Sequence, residues 1–557
     1  MRTRRLLFPG LLLLATTLVV VPLAAAGGRA SITVADLKAW LTVVSSDAFG
    51  GRSVFTEGLG MTASFLEDRL REWHVAPAGD HGSYLQAVEV RSVRTTSRSS
   101  ITVQVGRESK TFADGEGVTF PRNMGTPQTF TIDRVEFAAY GLDAPGNHYS
   151  DLAGKDFTGA GVVFIGSKGP KALDVTRYRR LLGGRGRWLT EQLGAAAAFG
   201  QAPPPRPAAT GAPTSEPTRR PDAPDFITTQ RLDARIPPSM TLSDEALTWL
   251  FSAAPRSYAS LQQAADAQED LPSFRLDGVR ITVHIDADYA VVRTQRTQNV
   301  VATIAGTDPT LKQTYVAIGA HYDHVGMAEQ ELAADGTRPG APGLVTPGHE
   351  QDRIWNGADD DGSGTVALLA LARAFAQGPR PKRSLLFVWH AGEERGLYGS
   401  RYFADYPTVP LAQIVAQLNI DMIGRNRDDK ASEADTVYPV GSDRISSELH
   451  AINLAANRAL PQPLRLDFEM NDPADPEQVY FRSDHYSYAA KGIPIIFYTT
   501  GLHPDYHANT DEVSKIEFPK MARVTQLVYE TATRVGNLDH APVRDRKGPR
   551  AGKGAPQ

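Results

Sequence analysis

The sequence predicts an α/β fold: a mostly parallel central sheet flanked by helices, with a β-rich domain inserted into it. Three observations lead there. Apolar strand-like runs at 314–320, 385–389 and 414–420 alternate with helical patterns, which argues for a parallel sheet covered on both faces. Each run leads into histidine or acid: His321-Tyr322-Asp323-His324, then Gly392-Glu393-Glu394, then Asp421. In an open α/β sheet the carboxyl ends of the strands are where a site forms. Finally, 557 residues exceed what one core holds, so two to four domains are expected.

Taken in order, Met1-Arg2-Thr3-Arg4-Arg5 and the apolar run 6–26 read as a secretory signal over 1–29, with Ala24-Ala25-Ala26 suited to cleavage. This predicts a secreted or periplasmic protein with no stable membrane association once the signal is removed. A retained anchor is the rival reading, because the run is nearly long enough to span a bilayer. Residues 30–129 read as the N-terminal part of the catalytic domain. They hold helices at 34–44 and 59–73, the glycine-rich turn Asp47-Ala48-Phe49-Gly50-Gly51-Arg52 between them, and strands at 84–93 and 99–105.

The segment 130–285 is expected to be the inserted domain. Its β-type runs at 135–141 and 161–166 end in no acid or histidine cluster, and 201–224 is a Pro/Ala-rich excursion. It carries no chemistry of its own. Alternation at 279–292 and a strand at 299–304 return the chain to the main sheet, and 286–538 completes the catalytic domain. The clearest helix, 363–376, turns Val366, Leu369, Ala370 and Ala374 toward the sheet and stops at Gly378-Pro379. The tail 539–557 is mostly Pro, Gly, Arg and Lys and reads as disordered.

Hydrophobic and charged fractions of 41% and 22% are ordinary for a globular chain with a sizeable core. A net charge of -4 offers no support for nucleic acid as a partner. With no cysteine, disulfides, thiolate metal sites, a cysteine nucleophile and a lipoprotein anchor are all excluded. Any metal is held by nitrogen and oxygen.

The chemistry centres on Asn356-Gly357-Ala358-Asp359-Asp360-Asp361-Gly362-Ser363-Gly364. Three adjacent carboxylates repel one another unless a cation sits among them. Mixed histidine and carboxylate ligands suit zinc, and two ions close together need a bridging carboxylate; cobalt or manganese would also be accepted. Strand alternation puts His321 and Asp323 on one side, so Asp323 can orient the imidazole. Asp361 or Ser363 is expected at the helix start. In Glu393-Glu394 one carboxylate can reach a metal and the other a water, as general base. Asp421, between Ile420 and Met422, is expected to be buried and partnered. His507 closes the run His503-Pro504-Asp505-Tyr506-His507. Ser483-Asp484-His485 holds the three residue types of a hydrolytic triad, but triad members meet from separate segments, so it is set aside. Tyr498 reads as a core tyrosine.

These stretches resemble peptidase family M28. The matching motifs are His321-Tyr322-Asp323, Gly357-Ala358-Asp359-Asp360-Asp361-Gly362-Ser363-Gly364, Gly392-Glu393-Glu394-Arg395-Gly396-Leu397-Tyr398-Gly399-Ser400, Asn419-Ile420-Asp421-Met422 and Tyr506-His507-Ala508-Asn509-Thr510-Asp511. They follow the family's order between residues 290 and 530. The resemblance implies two Zn2+ ions bridged by Asp360, one bound by His321 and Asp421, the other by Glu394 and His507. It makes Glu393 the general base acting on a zinc-bridged hydroxide, gives Asp323 and Asp511 supporting roles, and implies a cis Asp360-Asp361 peptide. It implies a fold of the zinc-exopeptidase, phosphorylase/hydrolase-like type and makes the inserted segment a protease-associated domain. The function implied is a secreted aminopeptidase releasing N-terminal residues from peptides or small proteins. A carboxypeptidase or dipeptidase of the same fold, and a non-catalytic receptor-like protein, are the alternatives.

Overall fold

The computed structural model describes residues 27–203, 223–329 and 340–545. Nearly all of the expected signal, most of the Pro/Ala-rich excursion and the end of the tail lie outside the described residues. No helix among the described residues is long and apolar enough to cross a membrane.

Four parallel strands form the centre of the main sheet, in the order Ser384–His390, Tyr315–His321, Ile414–Ile420 and Ile495–Thr499. Three of them are buried at every residue. A strand covered on both faces has no solvent side, which is why these segments read as unbroken apolar runs. The flanks are antiparallel: Ala287–Ile304 pairs with Ser384–His390 and with Leu85–Ser97, and Thr436–Val440 pairs with Ile495–Thr499. The expected parallel arrangement therefore holds for the strands that carry the motifs.

The helix Gly364–Gln377 is buried on nearly every face, rather than only along Val366, Leu369, Ala370 and Ala374. It lies between the sheet and the helices Val34–Val44, Glu57–Glu72 and Phe518–Asn537, whose apolar residues share its core. A helix that is apolar all round is one that packs all round. Its single arginine, Arg373, reaches out to Ser31 O and Asp36 Oδ2, each at 2.7 Å.

A second ten-stranded sheet lies in the chain between Leu85–Ser97 and Ala287–Ile304. Those two long strands pair antiparallel until Ser97 faces Ala287, so the chain leaves and re-enters the main sheet at adjacent points. The second sheet includes Ser100–Val105, Glu108–Asp114 and Gly117–Thr119, so it begins well before the expected boundary at 130. Alternation at 99–105 reports a strand with one buried face; it carries no information about which sheet the strand joins. Ile101, Val103, Phe137, Phe199, Met240 and Ile281 belong to a core separate from that of the main sheet. Phe226–Thr228 crosses back to pair with Leu85–Ser97, which laces the two bodies together.

Within the second body, buried Asp151 accepts hydrogen bonds from Leu142 N at 3.1 Å and from the Tyr149 hydroxyl at 2.7 Å. Burial outweighs these bonds and pushes its carboxyl up to about 6. A carboxyl held above its unfolded value resists ionisation, so its contribution is full below about pH 4 and is lost as pH rises through about 6. The thermal midpoint of the protein minus that of an Asp151→Asn variant is expected to fall from about pH 4 to about pH 7. Calorimetry across that range checks it; a difference that rises with pH would contradict the buried, protonated carboxyl.

Candidate metal centre

Five segments bring acids and histidines to the carboxyl ends of the parallel strands. His321 is the last residue of Tyr315–His321, Glu393 and Glu394 follow Ser384–His390, Asp421 follows Ile414–Ile420, and His507 lies in the loop after Ile495–Thr499. Asp360 comes from the irregular turn Ala358–Ser363 that precedes the buried helix.

That turn is held through its backbone. The Asp511 carboxylate accepts from Asp359 N at 2.9 Å and Asp360 N at 3.0 Å. Asp361 Oδ1 accepts from Gly364 N at 2.9 Å and Met422 N at 3.2 Å, and its Oδ2 accepts from His321 N at 3.2 Å. Asp361 thus caps the helix, as the sequence suggested, and ties it to two strand ends. The Asp360-Asp361 peptide is cis.

Asp360 faces the two histidines instead. Its Oδ1 lies 3.3 Å from His321 Nε2 and its Oδ2 lies 3.1 Å from His507 Nε2. Asp421 Oδ1 is 3.6 Å from His321 Nε2, and Glu394 Oε2 is 2.9 Å from His507 Nε2. The five residues expected as ligands therefore meet, in two groups that share Asp360. His321 Nε2 and Asp360 Oδ2 are buried without a hydrogen-bond partner. Imidazole nitrogens and carboxylate oxygens converging in this way form a donor set that a divalent cation between them satisfies.

A second layer of contacts orients these groups. Asp421 Oδ2 accepts from the Ser483 hydroxyl at 2.6 Å, and Ser483 accepts from Asn419 Nδ2 at 3.0 Å. His321 Nδ1 faces Asp323, 3.1 Å from its backbone oxygen and 3.6 Å from Oδ1. Asp323 Oδ1 also accepts from Glu393 N at 3.1 Å, linking the first strand end to the Glu393 turn. Asp511 supports the backbone of Asp359 and Asp360. His324 is the residue that the sequence reading left without a role: its Nδ1 lies 2.9 Å from Glu394 Oε1. Ligand-atom spacing also groups His324 with Asp360 and Glu394, and Asp361 with His321 and Asp421. The three backbone N–H groups on Asp361 already occupy its oxygens, which makes it a strut. The sign for His324 was its place three residues after His321 in the same quoted motif.

The electrostatics follow from the crowding. Burial works against charge on His321, yet Asp421, Asp323 and Asp360 hold it well above the usual imidazole range. Burial likewise opposes His507, but Asp360 and Glu394 draw it up to about 10. Asp360 is held well below the carboxylate range by His321 and His507 despite its burial. Glu393 moves the other way: burial, with Glu394, Asp421 and Asp484 adding to it, holds its carboxyl well above the usual range.

Beside these groups is a pocket whose walls include Met422, Met470, Val479, Phe497 and Leu502, with Asp360, Glu393 and Asp421 at one side. Among the described residues lining it, the single cation is Arg482, which donates to Glu477 Oε2 at 2.8 Å and to the Tyr506 hydroxyl at 3.1 Å. Arg425 is paired with Asp429 and Asp505, and Arg395 is exposed. Ser483-Asp484-His485 forms no triad: Ser483 turns to Asp421, Asp484 faces His390 and His485 meets Tyr480 O. Tyr498 is a core tyrosine, bonded to Asn453.

Residues 299–532 match the model of Peptidase family M28. Leucine aminopeptidase 1 of Trichophyton equinum is 27% identical over 246 residues, 42% of this chain and 57% of that protein. The chain thus spans little more than half the length of this curated relative. A probable zinc metalloprotease of Leptosphaeria maculans is 33% identical over 135 residues, 24% of this chain and 26% of that protein. Among solved structures, an aminopeptidase from Aneurinibacillus sp. strain AM-1 aligns at a TM-score of 0.43 with 17% identity, covering 94% of this chain and 98% of that one. The matched region, residues 299–532, holds all five converging residues and is similar to peptidase family M28.

Proposed function

We propose that the protein is a zinc-dependent exopeptidase that removes N-terminal residues from peptides. The observation that carries this reading is Asp360, whose two oxygens face His321 Nε2 and His507 Nε2 separately. A carboxylate divided between two imidazoles is what a pair of ions sharing one ligand requires. His321 and Asp421 would hold one ion, His507 and Glu394 the other, with Ser483 and His324 fixing the free oxygens of the two acids. Zinc is favoured by the nitrogen and oxygen donor set and by the zinc metalloprotease among the relatives. Bound zinc supplies Lewis acidity to a peptide carbonyl and to water.

Glu393 lies on the same pocket as Asp360 and Asp421. Its burial raises its proton affinity, which suits a group that takes a proton from the attacking water and returns it to the leaving amine. The polar side of the pocket is acidic, and its lining cation is already bonded to Glu477 and Tyr506. That lining suits a substrate ammonium better than a carboxylate and so favours the aminopeptidase direction. The apolar walls suit an apolar first side chain. We further read residues 1–29 as an export signal, from the sequence, and the second body as a protease-associated domain, from the family resemblance.

Two experiments test this. Glu393→Gln is expected to retain zinc, measured by mass spectrometry of the metal, while turnover falls by about 10²–10⁴-fold, the usual share of a general base; Asp360→Asn is expected to lose zinc as well. Full activity in Glu393→Gln would remove Glu393 from the base role. Incubated with short peptides free or blocked at either end, the protein is expected to shorten only those with free N-termini, and a chelator is expected to abolish this until zinc is returned. Truncation from free C-termini would move the assignment to the carboxypeptidase branch, and no metal-dependent truncation would leave a binding role.

A further inference from the structure

Arg52 is fully buried and lies far upstream of the family match, in the turn Asp47–Arg52 between the first two helices. Gly50, Gly51 and Arg52 are all left-handed, with φ of 54°, 67° and 48°. A Cβ at Gly51 would lie 2.3 Å from Gly326 O and 2.5 Å from Trp355 O, so the turn is wedged against two residues that pair with each other. Only glycine permits so close a backbone approach.

This wedge delivers the guanidinium beneath the metal centre, where it donates to four backbone carbonyls and one hydroxyl. Nε donates to Tyr322 O at 3.2 Å, Nη1 to Val44 O at 2.9 Å, Ser45 Oγ at 3.3 Å and Asn356 O at 2.7 Å, and Nη2 to Gly357 O at 2.7 Å. The backbone oxygen of Arg52 in turn accepts from His324 N at 3.2 Å. Tyr322 follows His321 directly, and Gly357 is three residues ahead of Asp360. One planar group therefore grips both chain segments that present the shared acid and its histidine. Charge-assisted bonds to carbonyls are stronger than neutral ones, and the planar fork of arginine offers five N–H donors in fixed directions where a lysine ammonium offers three from a single atom. The positive charge attracts Asp511, Asp323, Asp361 and Asp360.

We propose that Arg52 is a positioning residue of the metal centre: it sets the spacing between the His321 and Asp360 segments and holds His324 against Glu394, so that the turn Asp47–Arg52 completes a site whose ligands all lie in the family region. This rests on the zinc reading above. Arg52 touches no reacting group and acts only through the segments it holds.

Zinc titration of the metal-free protein, by calorimetry, compares the wild type with Arg52→Lys, which keeps the charge and loses the fork. The variant is expected to fold without metal, with a far-ultraviolet circular dichroism spectrum like that of the wild type, and to bind zinc at least tenfold more weakly. Its kcat is expected to fall with KM little changed, because the substrate pocket is not touched. Ser45→Ala, which removes one of the five contacts, is expected to weaken zinc binding by a smaller factor in the same direction. Unchanged zinc affinity in Arg52→Lys would overturn the proposal while leaving the zinc reading intact. So would an Arg52→Lys protein that is unfolded with and without zinc, since Arg52 would then serve the whole domain. A wild type that binds no zinc would overturn both.

Discussion

Like charges crowded in a dry interior are the constraint on which the rest of this structure depends. Asp323, Asp359, Asp360, Asp361, Asp421 and Asp511 are all buried in one region, with Glu393 and Glu394 beside them. Two unit charges 4 Å apart repel by about 4 kcal/mol at an effective dielectric constant near 20, so no such cluster persists unless each member has its own compensation. The members differ in how they find it. Asp361 and Asp511 accept backbone N–H groups, and Asp359 accepts from Gly424 N at 2.6 Å and faces His503 Nε2 at 3.3 Å. Asp360, Asp421 and Glu394 are the ones turned toward His321 and His507. The division separates acids that hold the backbone from acids that remain available to a cation.

The scaffold makes that division possible. Parallel strands all release the chain at the same edge, so His321, the Glu393 turn, Asp421 and the His507 loop converge without long excursions. The helix Gly364–Gln377 fixes the Asp359–Asp361 turn from the other side, because Asp361 is at once its cap and the acceptor for the strand ends at His321 and Met422. Moving any one of these elements would shift two acids together. The second body is attached through the paired strands Leu85–Ser97 and Ala287–Ile304, which run on past the Trp389 end of Ser384–His390, the same edge of the sheet that delivers the acids and histidines.

What could be read from the sequence was whatever local pattern encodes. Unbroken apolar runs announced the central strands, and the acids and histidines directly after them announced the site. His324 was visible as a letter but not as a role, because its partner Glu394 lies seventy positions away. Arg52 was harder still. Four of its five contacts go to backbone carbonyls, which any residue type supplies, so no side-chain pattern marks the far end of the interaction. The start of the second body was misplaced for a related reason. Alternation fixes which residues of Ser100–Val105 are buried, whereas the choice of sheet depends on pairings with Glu108–Asp114 and Val279–Ile285. Expectations for Asp511 show the same limit: its place near the site was legible, but its acceptance of backbone N–H groups from Asp359 and Asp360 was not.

The most direct test of this account is a crystal structure of the zinc-loaded protein with diffraction measured on both sides of the zinc absorption edge. The account requires two anomalous peaks flanking the Asp360 carboxylate, one beside His321 and Asp421 and the other beside His507 and Glu394. A single peak, or zinc bound away from Asp360, would contradict it.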